Sequence, residues 1–345
     1  MSPTIFLTVL LSLAAGTLIT MSSYHWLFAW IGLEMNTLAI TPIISTKHNP
    51  RSTEAATKYF LTQAAASALI LFSSMTNAWQ TGTWSIMDIS SSPAHIMLTL
   101  ALAMKLGLAP MHFWLPEVLQ GTTFLASFII TTWQKLAPMA LIFMTINNLS
   151  PTALITMGVL SSIIGGLGGL NQTQTRKIMA YSSIAHLGWM ITISSISTNL
   201  MIFSLLVYLV LTGAMFFSLI FSKLKTVQDT TTAWSLSPSM TTMAAVLLLS
   251  LGGLPPLTGF TPKWLIMEEL ITQNLILMTT AIMLSSLLSL FFYLRLTYTA
   301  ALTLSPNTVQ TKLKWRLKPA MLTTPMLTLS LMSSLLLPIL PLILL

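Results

Sequence analysis

Long apolar runs separated by short polar stretches dominate the chain. Their spacing predicts eleven helices, at about 3–21, 25–44, 55–79, 93–110, 122–147, 151–170, 176–196, 200–222, 239–272, 275–298 and 321–343. Most have the ~20 residues that cross a bilayer core of about 30 Å. The ninth is too long for one crossing and contains Gly252-Gly253-Leu254-Pro255-Pro256, with Gly259 and Pro262 after it. Proline removes a backbone donor and clashes with the preceding turn, so this run reads as one span broken in its middle. The fourth breaks near Gly107 and Pro110. The fold class is therefore all-α: a polytopic membrane protein of about eleven transmembrane helices, two of them broken.

Charge sharpens this picture. Only 6% of the 345 residues are charged, against about 25% in soluble domains, and the mean hydropathy is +0.82. Twelve basic residues sit at or beside helix ends: Lys47, Arg51, Lys58, Arg176, Lys177, Lys223, Lys225, Arg295, Lys312, Lys314, Arg316 and Lys318. All twelve fall on loops 2–3, 6–7, 8–9 and 10–11 or the adjoining ends. The opposite loops hold Asp88 and no Lys or Arg. The positive-inside rule then puts the N-terminus on the matrix or cytoplasmic side and the C-terminus across the membrane. Trp26, Trp79, Trp84, Trp234 and Trp315 lie near predicted ends, where an aromatic belt belongs. The net charge of +8 comes with no interleaved basic and aromatic patch, so no nucleic-acid partner is expected.

Cysteine is absent, which excludes thiolate-held Fe–S clusters, zinc–cysteine sites and disulfides. Met1-Ser2-Pro3-Thr4 has no basic leader and reads as the start of the first span, so no cleaved targeting peptide is expected.

The remaining three lysines interrupt apolar runs. Lys105, Lys135 and Lys263 lie inside predicted spans, where a charge costs roughly 2.5–3.5 kcal/mol on insertion scales. Glu34 and His186 share the predicted mid-depth. Ionisable groups at one depth on several helices form a line parallel to the membrane, and neighbouring charges can switch a buried lysine between protonation states. A relay Glu34, Lys105, Lys135, His186, Lys263 is the functional candidate. Each member also has a plainer role open to it. Glu34 and Lys105 can form a static ion pair, Lys135 and Lys263 can snorkel, and His186 can be a packing residue. Glu117, Glu268 and Glu269, near predicted ends, suit solvated or capping roles. Glu54 and Lys58, at i,i+4, suit a surface pair. The run Gly165-Gly166-Leu167-Gly168-Gly169 suits close helix contact rather than a nucleotide loop.

The broken helices are five apart, and both carry a lysine. An odd offset implies inverted-repeat units: 1–147, then 151–298, followed by a matrix loop and final helix over 299–345.

The segment Met104–Glu117 resembles the broken-helix signature of the antiporter-like membrane subunits of respiratory complex I. The runs 171–190 (NQTQTRKIMAYSSIAHLGWM), 251–264 (LGGLPPLTGFTPKW) and 48–64 (HNPRSTEAATKYFLTQA) carry the same resemblance, in its animal mitochondrial form. The resemblance covers essentially the whole chain. It implies a multi-pass inner-membrane protein that translocates protons, coupled to NADH oxidation by ubiquinone elsewhere. It implies a modulating pair Glu34–Lys105, a central relay at Lys135, a bridge at His186 and, at Lys263, the lysine of the second broken helix, towards the other side. FMN, Fe–S clusters and ubiquinone would belong to partner subunits, with no cofactor or metal in this chain. Implied partners are chains 4 and 4L, the lateral helix of chain 5, accessory subunits and lipids such as cardiolipin. A stand-alone cation/proton antiporter is the alternative from another functional class.

Overall fold

The computed structural model describes residues 3–89, 91–236, 238–303 and 330. The expected final helix at 321–343, Trp315 and the four basic residues from Lys312 to Lys318 lie outside the described residues. The described chain is almost entirely helical: α1 (Pro3–Ser22), α2 (Trp26–Ile44), α3 (Pro50–Thr81), α4 (Ser92–Leu106), α5 (Trp114–Gly121), α6 (Phe124–Thr131), α7 (Leu136–Thr145), α8 (Pro151–Gly169), α9 (Thr175–Ser194), α10 (Thr198–Ser222), α11 (Thr230–Leu236), α12 (Pro238–Gly252), α13 (Phe260–Thr272) and α14 (Ile276–Ala301). Among the described residues, seven helical stretches are individually long and apolar enough to cross a membrane. Two compact units form. One holds 1–161 with 190–198, and the other holds 162–189 with the described residues from 199 onward.

Polarity is inverted relative to a soluble protein, and α3 shows how. Its outward face carries Phe60, Leu61, Phe72, Met75 and Trp79, the last 87% exposed. Its buried face carries Ser52, Tyr59, Gln63, Ser67, Ser73, Ser74 and Asn77. Without a hydrophobic drive between helices in lipid, small residues and internal hydrogen bonds must supply the packing. Most of these hydroxyls return to a carbonyl one turn back, as Ser67 does to Ala64 and Ser73 to Ile70. The helix thus satisfies its own polar groups where water is scarce. Pro42 follows the same logic. It cannot donate to the Leu38 carbonyl, and the Thr41 hydroxyl donates there instead, at 2.8 Å.

Four expectations need correction. The fourth span does not end near 110. It resumes as α5 after seven non-helical residues, and the eight residues WLPEVLQG are too short a run to announce a helix. The fifth span is not continuous: Trp133–Lys135 form one 3-10 turn between α6 and α7. Pro138 is the cause, since it has no N–H for the Gln134 carbonyl. Trp26 is not a belt residue; it is 2% exposed. Arg295 is not at a helix end, because α14 runs on to Ala301. Its guanidinium donates to the carbonyls of Leu170 and Gln172, holding the turn between α8 and α9.

The glycine run behaves as expected. A methyl group on Gly165 would strike the Ala185 backbone, and one on Gly168 or Gly169 would strike the rings of Tyr181 or Phe292. Beyond α10, residues 223–229 pair with the α8–α9 turn, through Val227 N–H to Thr173 C=O and Thr175 N–H to Lys225 C=O. The Asp229 carboxylate accepts from the N–H groups of Lys225 and Thr226. Partial burial opposes its ionisation, but these hydrogen bonds outweigh it and hold its pKa below the usual aspartate value.

Candidate functional site

All three lysines are withdrawn from the surface: Lys105 is 6%, Lys135 3% and Lys263 8% exposed. None of them snorkels. Each sits where a helix is interrupted.

Lys105 lies in the last turn of α4. Gly107 then takes a left-handed φ of 76°, a conformation open to glycine and costly to residues with a Cβ. Its N–H bonds the carbonyls of Ala103 and Met104, and Leu108 N–H returns to Ala103. The Trp114 indole, first residue of α5, donates to the Met104 carbonyl at 3.1 Å. The second break repeats this construction. Gly253 has φ 82°, its N–H bonds Leu249 and Ser250, and Leu254 N–H returns to Leu249. Both are glycine-terminated helix ends of the Schellman type. In each case seven residues separate the two half-helices.

This fixes a register that lysine content alone obscures. Residues 106–117 align without a gap on 252–263: Gly107 on Gly253, Leu108 on Leu254, Trp114 on Phe260, Pro116 on Pro262. Lys263 then corresponds to Glu117, and Lys105 to Leu251. The two lysines serve opposite sides of their breaks. Lys105 ends the first half-helix. Lys263 starts the second half and reaches back, its Nζ donating to the Gly252 carbonyl at 2.9 Å. That carbonyl closes α12, where a cation also suits the helix dipole.

Glu34, on α2, lies near Lys105 without pairing to it. Lys58 forms ion pairs with Glu54 and Glu117. Glu34 Oε2 and Lys105 Nζ are both buried with no hydrogen-bond partner in the protein, so the static pair is not formed. Glu54 and Lys58 are more than a local helix pair. Lys58 Nζ also meets Glu117 at 2.7 Å, tying α3 to α5, and Glu117 has a partner rather than a merely solvated place.

Lys135 closes the 3-10 turn at the end of α6. In the second unit, His186 on α9 is half-buried. Its Nε2 lies 3.5 Å from the Tyr293 hydroxyl, and its ring centroid is 5.7 Å from that of Tyr208. Tyr208 and Tyr293 are both buried. The structure thus buries Glu34 and Lys105 without a mutual bond in the first unit and gives His186 two tyrosine neighbours in the second.

Four neutral residues near the first-unit charges escape a reading based on charge. Tyr59 donates to Gln134 Oε1 at 3.4 Å, and Gln134 Nε2 donates to the Asn36 carbonyl at 3.5 Å. Gln63 and Asn36 bury amide atoms with no hydrogen-bond partner in the protein. The available signal was amides inside apolar spans.

Residues 23–289 match the family model described as NADH:quinone oxidoreductase/Mrp antiporter, TM, and residues 290–344 match NADH dehydrogenase subunit 2 C-terminus. The NADH-ubiquinone oxidoreductase chain 2 of Latimeria chalumnae is 52% identical over 99% of this chain and 98% of its own. That of Varanus timorensis is 55% identical over 99% of each. The chain belongs to the NADH-ubiquinone oxidoreductase chain 2 family. A chain in the solved respiratory complex I of Thermus thermophilus superposes with a TM-score of 0.83 and 28% identity, over 98% of this chain and 80% of that one. A chain of the Mrp complex from Dietzia shares the fold, at 17% identity and a TM-score of 0.82 over 97% of this chain and 75% of that one. As a family member, this chain is an antiporter-like membrane subunit of complex I.

Proposed function

We propose that this chain moves protons across the membrane within complex I, through Glu34, Lys105, Lys135, His186 and Lys263. One observation carries the reading. Three lysines are buried in a membrane-spanning chain, each at a helix interruption rather than at an end. A charge so placed is costly, and an interrupted helix offers backbone groups that can host ions and water.

The chain's own residues supply steps of proton transfer only. A lysine ammonium releases its proton to the next base and becomes a neutral amine able to accept another. Glu34 biases the first step. At an effective dielectric near 20 its charge is worth roughly 3 kcal/mol at ~5 Å and under ~2 kcal/mol at ~10 Å. At 1.36 kcal/mol per tenfold change in proton affinity, a modest shift in that separation loads or unloads Lys105. His186, flanked by Tyr208 and Tyr293, extends the route in the second unit, and Lys263 ends it. NADH oxidation, quinone reduction and their cofactors belong on this reading to partner subunits, among them chains 4 and 4L and the lateral helix of chain 5, with cardiolipin at the lipid face. The shared register of the two breaks supports five-helix units at 1–147 and 151–298 in inverted order. The stand-alone antiporter reading draws on the antiporter half of the family description and on a solved neighbour that shares only the fold, whereas the full-length relatives are complex I chains.

Glu34→Gln removes the biasing charge. We expect about tenfold slower coupled turnover in the assembled complex, the equivalent of 1.4 kcal/mol. Wild-type turnover and proton-to-electron ratio would overturn the role of Glu34.

The one-sided basic loops support an inner mitochondrial membrane orientation with the N-terminus in the matrix and the C-terminus in the intermembrane space. In sealed mitoplasts, protease added outside should leave 223–238 intact, and protease added to inside-out vesicles should cut it. The reverse pattern would overturn the orientation.

A further inference from the structure

Tyr59 lies among the surroundings of the first-unit charges. It lies on α3, which carries no charged residue after Lys58. Its ring is 1% exposed. On one side it reaches α2, the helix of Glu34, through Gln134 and the Asn36 backbone carbonyl. On another it meets the Trp114 ring, centroids 5.8 Å apart at 64°. That indole holds the Met104 carbonyl next to Lys105. On the third its hydroxyl donates to Gln134, the residue before Lys135.

Gln134 matters because of where the backbone is weak. Its own carbonyl loses the helical partner that Pro138 would have provided. The turn 133–135 is therefore not fixed by an uninterrupted helical ladder. A side-chain amide with one end on Tyr59 and the other on the Asn36 carbonyl supplies an alternative tether. Asn36 stands two residues after Glu34 on α2. One amide thus connects the helix of Glu34, the helix of Tyr59 and the turn of Lys135. Its two contacts also use both kinds of group on the amide, Oε1 accepting and Nε2 donating, which fixes its orientation.

We propose that Tyr59 and Gln134 are positioning residues of the relay: a neutral strut that sets the distance from Glu34 and Lys105 to Lys135. The proposal rests on the proton-relay reading above. The strut passes no proton through the amide. It holds the lysine where transfer can occur, and positional errors of about 1 Å at reacting groups can cost as much as a hundredfold in rate.

The test uses the intact complex in sealed vesicles, with rates taken per assembled complex. Tyr59→Phe keeps the ring against Trp114 and removes the hydroxyl. Gln134→Leu keeps the volume and removes both hydrogen bonds. Tyr59→Phe should lower coupled turnover about fivefold, the effect of one hydrogen bond of ordinary net strength, and Gln134→Leu, which loses two, should lower it further. The double variant should be no worse than Gln134→Leu, because residues acting through one contact are non-additive. Gln134→Glu, which keeps an acceptor for Tyr59, should recover part of the loss. The pH profile of turnover should shift in the single variants, which a purely structural loss would not produce. Wild-type turnover and pH profile in either assembled single variant would overturn the strut, as would fully additive losses. If Lys135→Ala stops pumping while both strut variants are normal, the strut fails and the relay stands. If Lys135→Ala is also normal, the relay reading itself fails.

Discussion

Replacing Lys135 with alanine should cut coupled turnover and proton pumping by about a hundredfold, in the lower part of the range for loss of a positioned acid–base group, while the complex still assembles. Lys135 is 3% exposed and lies at the end of a single 3-10 turn. Its ammonium is deep in a span, so the chain retains it at a cost that packing alone would not justify. Alanine is the best helix former and adds no volume, so the turn and α7 should persist. The check is the proton-to-electron ratio of the purified complex in vesicles, beside Lys58→Ala as a control. Lys58 is 41% exposed and paired at the surface with Glu54 and Glu117. Exposed pairs are worth about 0–1 kcal/mol, so its loss should leave pumping within about fivefold of wild type. Equal effects at the two lysines would remove the distinction between a buried relay group and a surface charge. A wild-type ratio in Lys135→Ala would remove the relay role altogether.

Lys105, Lys135 and Lys263 were legible in the sequence because a lone charge in an apolar run is expensive and therefore conspicuous. The breaks were legible for a similar reason, since Gly and Pro are backbone signals that need no tertiary context. Context decided the rest. The segment α5 is eight residues long, and its place was filled by a loop because short helices are stabilised by what they pack on. The 3-10 turn at Lys135 had a signal in Pro138, but proline inside a span is often absorbed, as Pro42 is by the Thr41 hydroxyl. Tyr59 and Gln134 were hidden because a neutral polar side chain in a membrane helix usually bonds its own backbone. Only the fold shows that these two bond each other. The equivalence of the two broken helices was visible as a shared lysine, yet the lysines do not share a register. The hydrogen bonds of Gly107 and Gly253 set that register, and it places Glu117 rather than Lys105 opposite Lys263.

That register makes Gly253 a sensitive backbone position in the second break, because it combines a left-handed φ with a close approach of Lys263. Gly253→Ala should lower coupled turnover about tenfold or more, through two separable costs. The left-handed φ of 82° penalises any Cβ, by roughly 1–2 kcal/mol. The new methyl would also stand 2.9 Å from Lys263 Nζ and 3.0 Å from its Cδ. To relieve that contact the lysine must move, and its bond to the Gly252 carbonyl goes with it. Gly82→Ala separates the two costs. Gly82 ends α3 with φ 74°, and a methyl there meets nothing within 4 Å. It carries the same backbone penalty without touching an ionisable group, so it should reduce stability by a similar amount and leave turnover per assembled complex within about twofold of wild type. The two variants are compared by thermal inactivation and by coupled turnover. Equal turnover in both would mean that Lys263 is indifferent to its place at the end of α12. A loss confined to Gly253→Ala, with the stability of both variants similarly reduced, ties the loss to the lysine that closes the helix.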